Sequence, residues 1–176
     1  KAKEIPKDAM EFLTRAIESE KTSTEVLASA VVALSRMNSE QSTIAMLNGI
    51  SKLNNQNPKK SKESVDARNA FLKAPSLDTH VAAIEKLSLA NDAEVGLWAD
   101  AAIIVVAARL DGSPESKQFA SKSIEQSWGQ SSKRSRMMQA AAAVESHHLD
   151  SRILEAALDA DRAIATIAKK VINQLK

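Results

Sequence analysis

Along most of the chain, apolar residues recur every three or four positions, the spacing of helices with one face against a core. Pro6 suits a first helical turn, where its missing N–H costs nothing; Met10, Leu13, Ala16 and Ile17 then form a stripe. Thr22 and Glu25 have capping-box spacing and restart a helix with Leu27, Ala30, Val31, Leu34 and Met37 inside. A third helix begins near Ser39, carries Ile44, Leu47 and Ile50, and ends in the amide run from Asn54 to Pro58.

Beyond the lysine-rich loop at Lys59, Lys60 and Lys62, a short stripe of Ala67, Ala70, Phe71 and Ala74 stops before Pro75. Ser76 or Asp78 caps the next helix, through Val81, Ile84 and Leu87. The stretch from Asp92 to Leu110 differs from these. From Val95 to Ala108 it is apolar or small except for Asp100, so it reads as a helix buried on most sides, around which the rest is organised. Ser113-Pro114 starts a helix with Ala120, Ile124 and Trp128 aligned, and Gly129 stops it. Met137 to Val144 and Asp150 to Leu158 are two more. Asp159 or Asp161 caps the last, whose stripe runs Ile164, Ile167, Ala168, Val171, Ile172, Leu175. Nothing alternates with period two, so the chain reads as all-α, with about ten helices on short connections.

One pattern recurs: a capping residue, two spacers, a β-branched residue, and a small residue four later. It appears as Ser23/Val26/Ala30, Asp92/Val95/Ala99 and Asp161/Ile164/Ala168. The cap satisfies free N–H groups, the aliphatic residue enters the core one turn on, and Ala lets a neighbouring helix approach. In these residues the chain resembles the HEAT-repeat family. The resemblance implies a right-handed α-solenoid of about five antiparallel helix pairs, one helical-repeat domain over 1–176. A non-repetitive helical bundle is the alternative.

Composition narrows the choices. The hydrophobic fraction is 44%, mostly Ala, Leu, Ile and Val, with aromatics at 3% and no Tyr. There is no Cys, which removes disulfides, thiolate metal sites and cysteine nucleophiles. A net charge of +2 is too small to imply a polyanionic partner by itself. The longest apolar run contains Asp100 and is too short for a membrane span, so a soluble protein with no membrane partner is expected. The chain opens on Lys1 without a signal-peptide pattern, which reads as a processed chain or a piece of a longer protein, and its compartment stays open.

Candidate chemistry is sparse. His147 and His148 are adjacent and point about 100° apart on a helix, so they do not readily share a metal. Glu145 and His148 have the i, i+3 spacing of carboxylate–histidine motifs, with only His80 left to add; a polar helix end is the plainer reading. Asp100 shares a stripe of small side chains with Gly96 and Ala107, and is expected to be exposed, salt-bridged or lining a groove. Lys59, Lys60 and Lys62, and Lys133, Arg134 and Arg136, are basic clusters near helix starts or loops, where a solenoid edge could align them for phosphates. Trp128, at a helix end beside Gly129, is the better of two tryptophans as an interface anchor. No cofactor fingerprint, metal signature, Gly-rich phosphate loop or nucleophile elbow is present.

These features point to a non-enzymatic scaffold that binds another protein, by analogy with solenoids. Two alternatives remain open: a nucleic-acid-binding repeat using the basic clusters, and a catalytic helical domain using Asp100 or the Glu145/His147/His148 group.

Overall fold

A computed structural model describes residues 7–56, 61–89 and 93–176. Pro6, Asn57, Pro58, Lys59, Lys60, Asn91 and Asp92 lie outside the described residues. Among those described there are eleven helices and no strand. The all-α class is therefore observed. The chain divides into two compact units, 1–83 and 84–176.

The first unit contains α1 (Lys7–Glu18), α2 (Thr24–Leu34), α3 (Glu40–Gln56), α4 (Lys62–Lys73) and the one-turn α5 (Ser76–Thr79). Here α2 packs against α1, α3 and α4, and α3 also meets α1, α4 and α5. Leu27, Val31, Leu34, Met46, Leu47 and Phe71 are fully buried and form its core. Starts are set by local chemistry. Ser39 and Ser42 cap reciprocally, each hydroxyl accepting the other's backbone N–H at 3.1 Å. Ser23, rather than Thr22, caps α2 by accepting from Val26 N. The C-terminal end of α1 is held by Lys52, whose Nζ donates to the carbonyls of Ile17 and Ser19 at 2.8 and 2.5 Å.

The division falls inside α6 (Val81–Leu89), whose residues from Ile84 onward belong to the second unit with α7 (Ala93–Ala108), α8 (Pro114–Trp128), α9 (Ser131–Ala143), α10 (Asp150–Ala156) and α11 (Arg162–Leu175). Every residue of α7 from Trp98 to Ala107 is buried, as its lack of a polar face requires. It packs on α8 and α9; α9 also packs on α8 and α11, and α10 on α11. Ser113 caps α8 with Pro114 in its first turn, and Asp161 caps α11 by accepting from Ala163 N and Ile164 N. At the end of α9, Ser146 N bonds Ala141 O and Glu145 N bonds Ala142 O, a Schellman closure. Glu145 occupies the left-handed position of that closure, with φ of 52°.

Several expectations change. The segment expected as one helix through Val81, Ile84 and Leu87 is split at His80 into α5 and α6. Ser88 is buried beside Ile84 on α6, while Leu87 is only partly covered. The α9 helix begins at Ser131, six residues before the expected Met137, so Lys133, Arg134 and Arg136 ride on its first turns rather than in a loop. In the recurring pattern the alanines hold: Ala30, Ala99 and Ala168 are all buried. The aliphatic position is mixed: Ile164 is buried and Val95 half-buried, but Val26 is 48% exposed and Leu27 takes the inside place.

Gly49 marks a close approach in the first unit. A Cβ there would stand 2.8 Å from Val31 Cγ2 and 3.0 Å from Ile17 Cδ1. Overpacking of this kind costs about 1–3 kcal/mol, against a helix-propensity gain of about 1 kcal/mol for replacing Gly. Gly49→Ala is accordingly expected to lower unfolding free energy by about 1 kcal/mol in urea titration.

Candidate functional site

The most constrained polar group in the second unit is Asp100. It sits in mid-α7 between runs of Ala, Ile and Val and has no solvent exposure. A carboxylate placed there without partners would carry a large desolvation cost. Three groups answer it. Arg136 Nε, from α9, donates to Oδ2 at 2.6 Å, and Arg136 Nη2 reaches Oδ1 at 3.4 Å. The Ser88 hydroxyl, from the end of α6, donates to Oδ1 at 2.5 Å.

Arg136 does more than neutralise the charge. Its Nη2 also donates to the Ser88 carbonyl at 2.5 Å, one of the last carbonyls of α6. A cation at a helix C-terminus is favoured by the backbone dipoles, so one guanidinium joins the end of α6 to the middle of α7. The fit explains Gly96. A Cβ at that position would lie 2.5 Å from Arg136 Nη1 and 3.0 Å from its Cζ, so the guanidinium rests against α7 where only glycine leaves room. Burial raises the Asp100 carboxyl above its ordinary 3.8, while the hydrogen bonds from Arg136 and Ser88, and the charges of Arg136 and Lys133, pull it back.

Arg134, two residues earlier on α9, is committed too. Its Nε donates to Trp128 O at 2.9 Å and its Nη1 pairs with Asp159 at 2.8 Å. Asp159 accepts from Asp161 N at 2.9 Å, so this arginine ties the end of α8 to the turn preceding α11. Trp128 is half-buried, with the Arg152 guanidinium 5.7 Å from its ring centroid. Arg152 also pairs with Glu125, which holds that exposed carboxyl below its usual range.

The sequence candidates therefore separate. Asp100 and Arg136 are brought together, with Lys133 near enough to act on Asp100 through its charge. Arg134 and Trp128 form a second grouping around Asp159 and Arg152. Lys62 is exposed at the start of α4, in the first unit. Lys59 and Lys60 fall outside the described residues. Of the expected basic cluster, two guanidiniums are occupied by carboxylates and backbone carbonyls. The solvent-facing reading of the Gly96/Asp100 stripe gives way to an interior one, because Arg136 fills that edge of α7.

The histidine group dissolves as a metal site. Glu145 lies past the end of α9 in a left-handed turn, off any helix face shared with His148. His147 Nδ1 instead meets Asp150 at 3.0 Å. No group of three side chains suited to a metal ion is assembled among the described residues. Burial, then the charges of Arg152 and Lys117, lower the pKa of His148, favouring the neutral ring.

Sequence reasoning missed Ser88 as a partner of Asp100. Its signal was present, for it continues the Val81/Ile84 spacing and places a hydroxyl on a buried stripe. Beside the network, α6, α8 and α9 border an open cleft of about 380 Å³. No protein-family model matches the chain, and neither does any curated protein or solved structure.

Two predictions follow from the network. Arg136→Met strands a buried carboxylate and should cost about 3–5 kcal/mol at neutral pH; Asp100→Asn should cost less, since Arg136 keeps the Ser88 carbonyl and some solvent. With its counter-charge gone, Asp100 titrates still higher in the folded state. The native state then holds its proton where the unfolded chain has lost it, so stability falls as pH rises above the ordinary 3.8. Urea midpoints from pH 4 to 7 should show the Arg136→Met deficit widening. Separately, Gly96→Ala should lower stability by about 1 kcal/mol or more, despite a propensity gain of similar size, because the guanidinium is pinned by its hydrogen bonds.

Proposed function

We propose that the chain is an α-solenoid-like module of the HEAT type that binds another protein, rather than an enzyme. The observation that carries this reading is the packing of alternate helices in the second unit, where α7 packs on α9 and α9 on α11. Alternate-helix stacking is how solenoid proteins extend one row of helices into a continuous binding surface. The first unit uses the same relation, with α1 on α3 and α2 on α4. The polar interior adds support. Asp100, the one carboxylate fully buried among the described residues, is consumed by Arg136 and Ser88, which leaves a structural clasp in place of an acid–base pair.

A nucleic-acid partner is the weaker reading, since Arg134 and Arg136 are already engaged and only Lys62 and Lys133 of the described cluster residues remain without an ion pair. No helix among the described residues is long and apolar enough to cross a membrane.

The test is affinity capture from the native source, with and without nuclease, using the wild-type chain and a Lys62→Gln/Lys133→Gln double variant. A defined protein that is retained after nuclease and by the double variant is expected. Capture abolished by nuclease, or by loss of the two lysines, would transfer the function to nucleic acid.

A further inference from the structure

Seven of the eight residues lining the open cleft between α6, α8 and α9 are polar, Leu89 being the exception, although carbon atoms make up more than half of its exposed wall. Ser123 and Ser127, successive on one face of α8, are only 3% and 5% exposed. Both border the cleft, and neither hydroxyl has a hydrogen-bond partner among the described residues. Neither oxygen is sealed from solvent, so both are open to whatever occupies the cleft.

The charges around them are arranged rather than spent. Lys133 and Glu85 both line the cleft, one from the first turn of α9 and one from α6. No ion pair joins them to each other or to another described side chain. The cleft also meets the N-terminal end of α9, a helix of 13 residues whose cap residue, Gln130, makes no side-chain cap hydrogen bond. Uncapped N–H groups, the dipole of that helix and the Lys133 ammonium together favour an anion there. Glu85 supplies the opposite requirement, an acceptor for a cation.

We propose that this cleft binds a free amino acid. The carboxylate is held by Lys133, the α9 N-terminus and the Ser127 hydroxyl, and the ammonium by Glu85. The carboxamides of Gln126 and Gln130 line the same space and favour a ligand with a small or polar side chain. A cleft of about 380 Å³ is at the small end of ligand pockets and has room for a molecule of this size. The site is independent of the protein-binding reading, and either can fail without the other.

Isothermal titration of the full chain with each of the twenty L-amino acids tests this, with acetate and methylammonium as single-charge controls. Saturable binding of a small or polar amino acid is expected, with both controls weaker by about tenfold or more, as loss of a charge-assisted hydrogen bond implies. Lys133→Gln and Glu85→Gln should each weaken binding by a similar factor while leaving the helical circular dichroism unchanged. Absence of saturable binding would overturn the proposal. So would acetate binding as tightly as the amino acids, or unchanged affinity in the two variants.

Discussion

A charge buried inside an otherwise apolar helix is the constraint on which the second unit depends. Because α7 has no polar face, it must be covered on all sides, and Asp100 must then find its partners within the protein. The ion pair with Arg136 is weak ground for stability in itself, since a well-packed apolar substitute often does as well. What it does supply is position. A planar guanidinium that must meet a carboxylate on α7 and a carbonyl at the end of α6 leaves α9 little freedom to slide or rotate. Gly96 is part of the same fit, and its place in the first turn of α7, unfavourable for a helix alone, follows from the group it accommodates.

Much of the fold was legible because helix formation is signalled locally. Ser113, Asp161 and the apolar stripe of α11 specify their element within a few residues, and the structure places them as their chemistry indicates. The α9 start was not legible. Its first residues, Ser131 to Arg136, form a polar run without an N-cap side chain, and their helical state depends on tertiary partners: Asp100 for Arg136, Asp159 for Arg134. Val26 shows the limit of a motif. The spacing placed an aliphatic residue correctly on a helix, but which side faces the core is decided by neighbours, and Leu27 won. The partner of Asp100 lies 36 residues away, beyond any periodicity argument.

The same geometry redistributes the basic residues. A cluster that reads as uniform in sequence becomes three different groups in the fold. Arg136 clamps the interior, Arg134 ties the α8 end to the turn before α11, and Lys133 keeps its ammonium beside the cleft. Helical periodicity explains the split, because successive residues of one turn point about 100° apart. Charge counted along a chain therefore overstates what a surface offers a polyanion.

The Asp100 clasp also carries a consequence for synthesis. Ser88 and Asp100 leave the ribosome well before Arg136, by 48 and 36 residues respectively. At translation speeds of about 5–20 residues per second, that interval is on the order of seconds. Throughout it, α7 has its carboxylate but no counter-ion, so water must remain where the guanidinium will later sit. The apolar run from Ala101 to Ala107 must stay unsealed at that edge. Closure of the second unit thus waits on the emergence of α9, and a nascent chain stalled before residue 136 holds an exposed aliphatic helix of the sort that chaperones recognise.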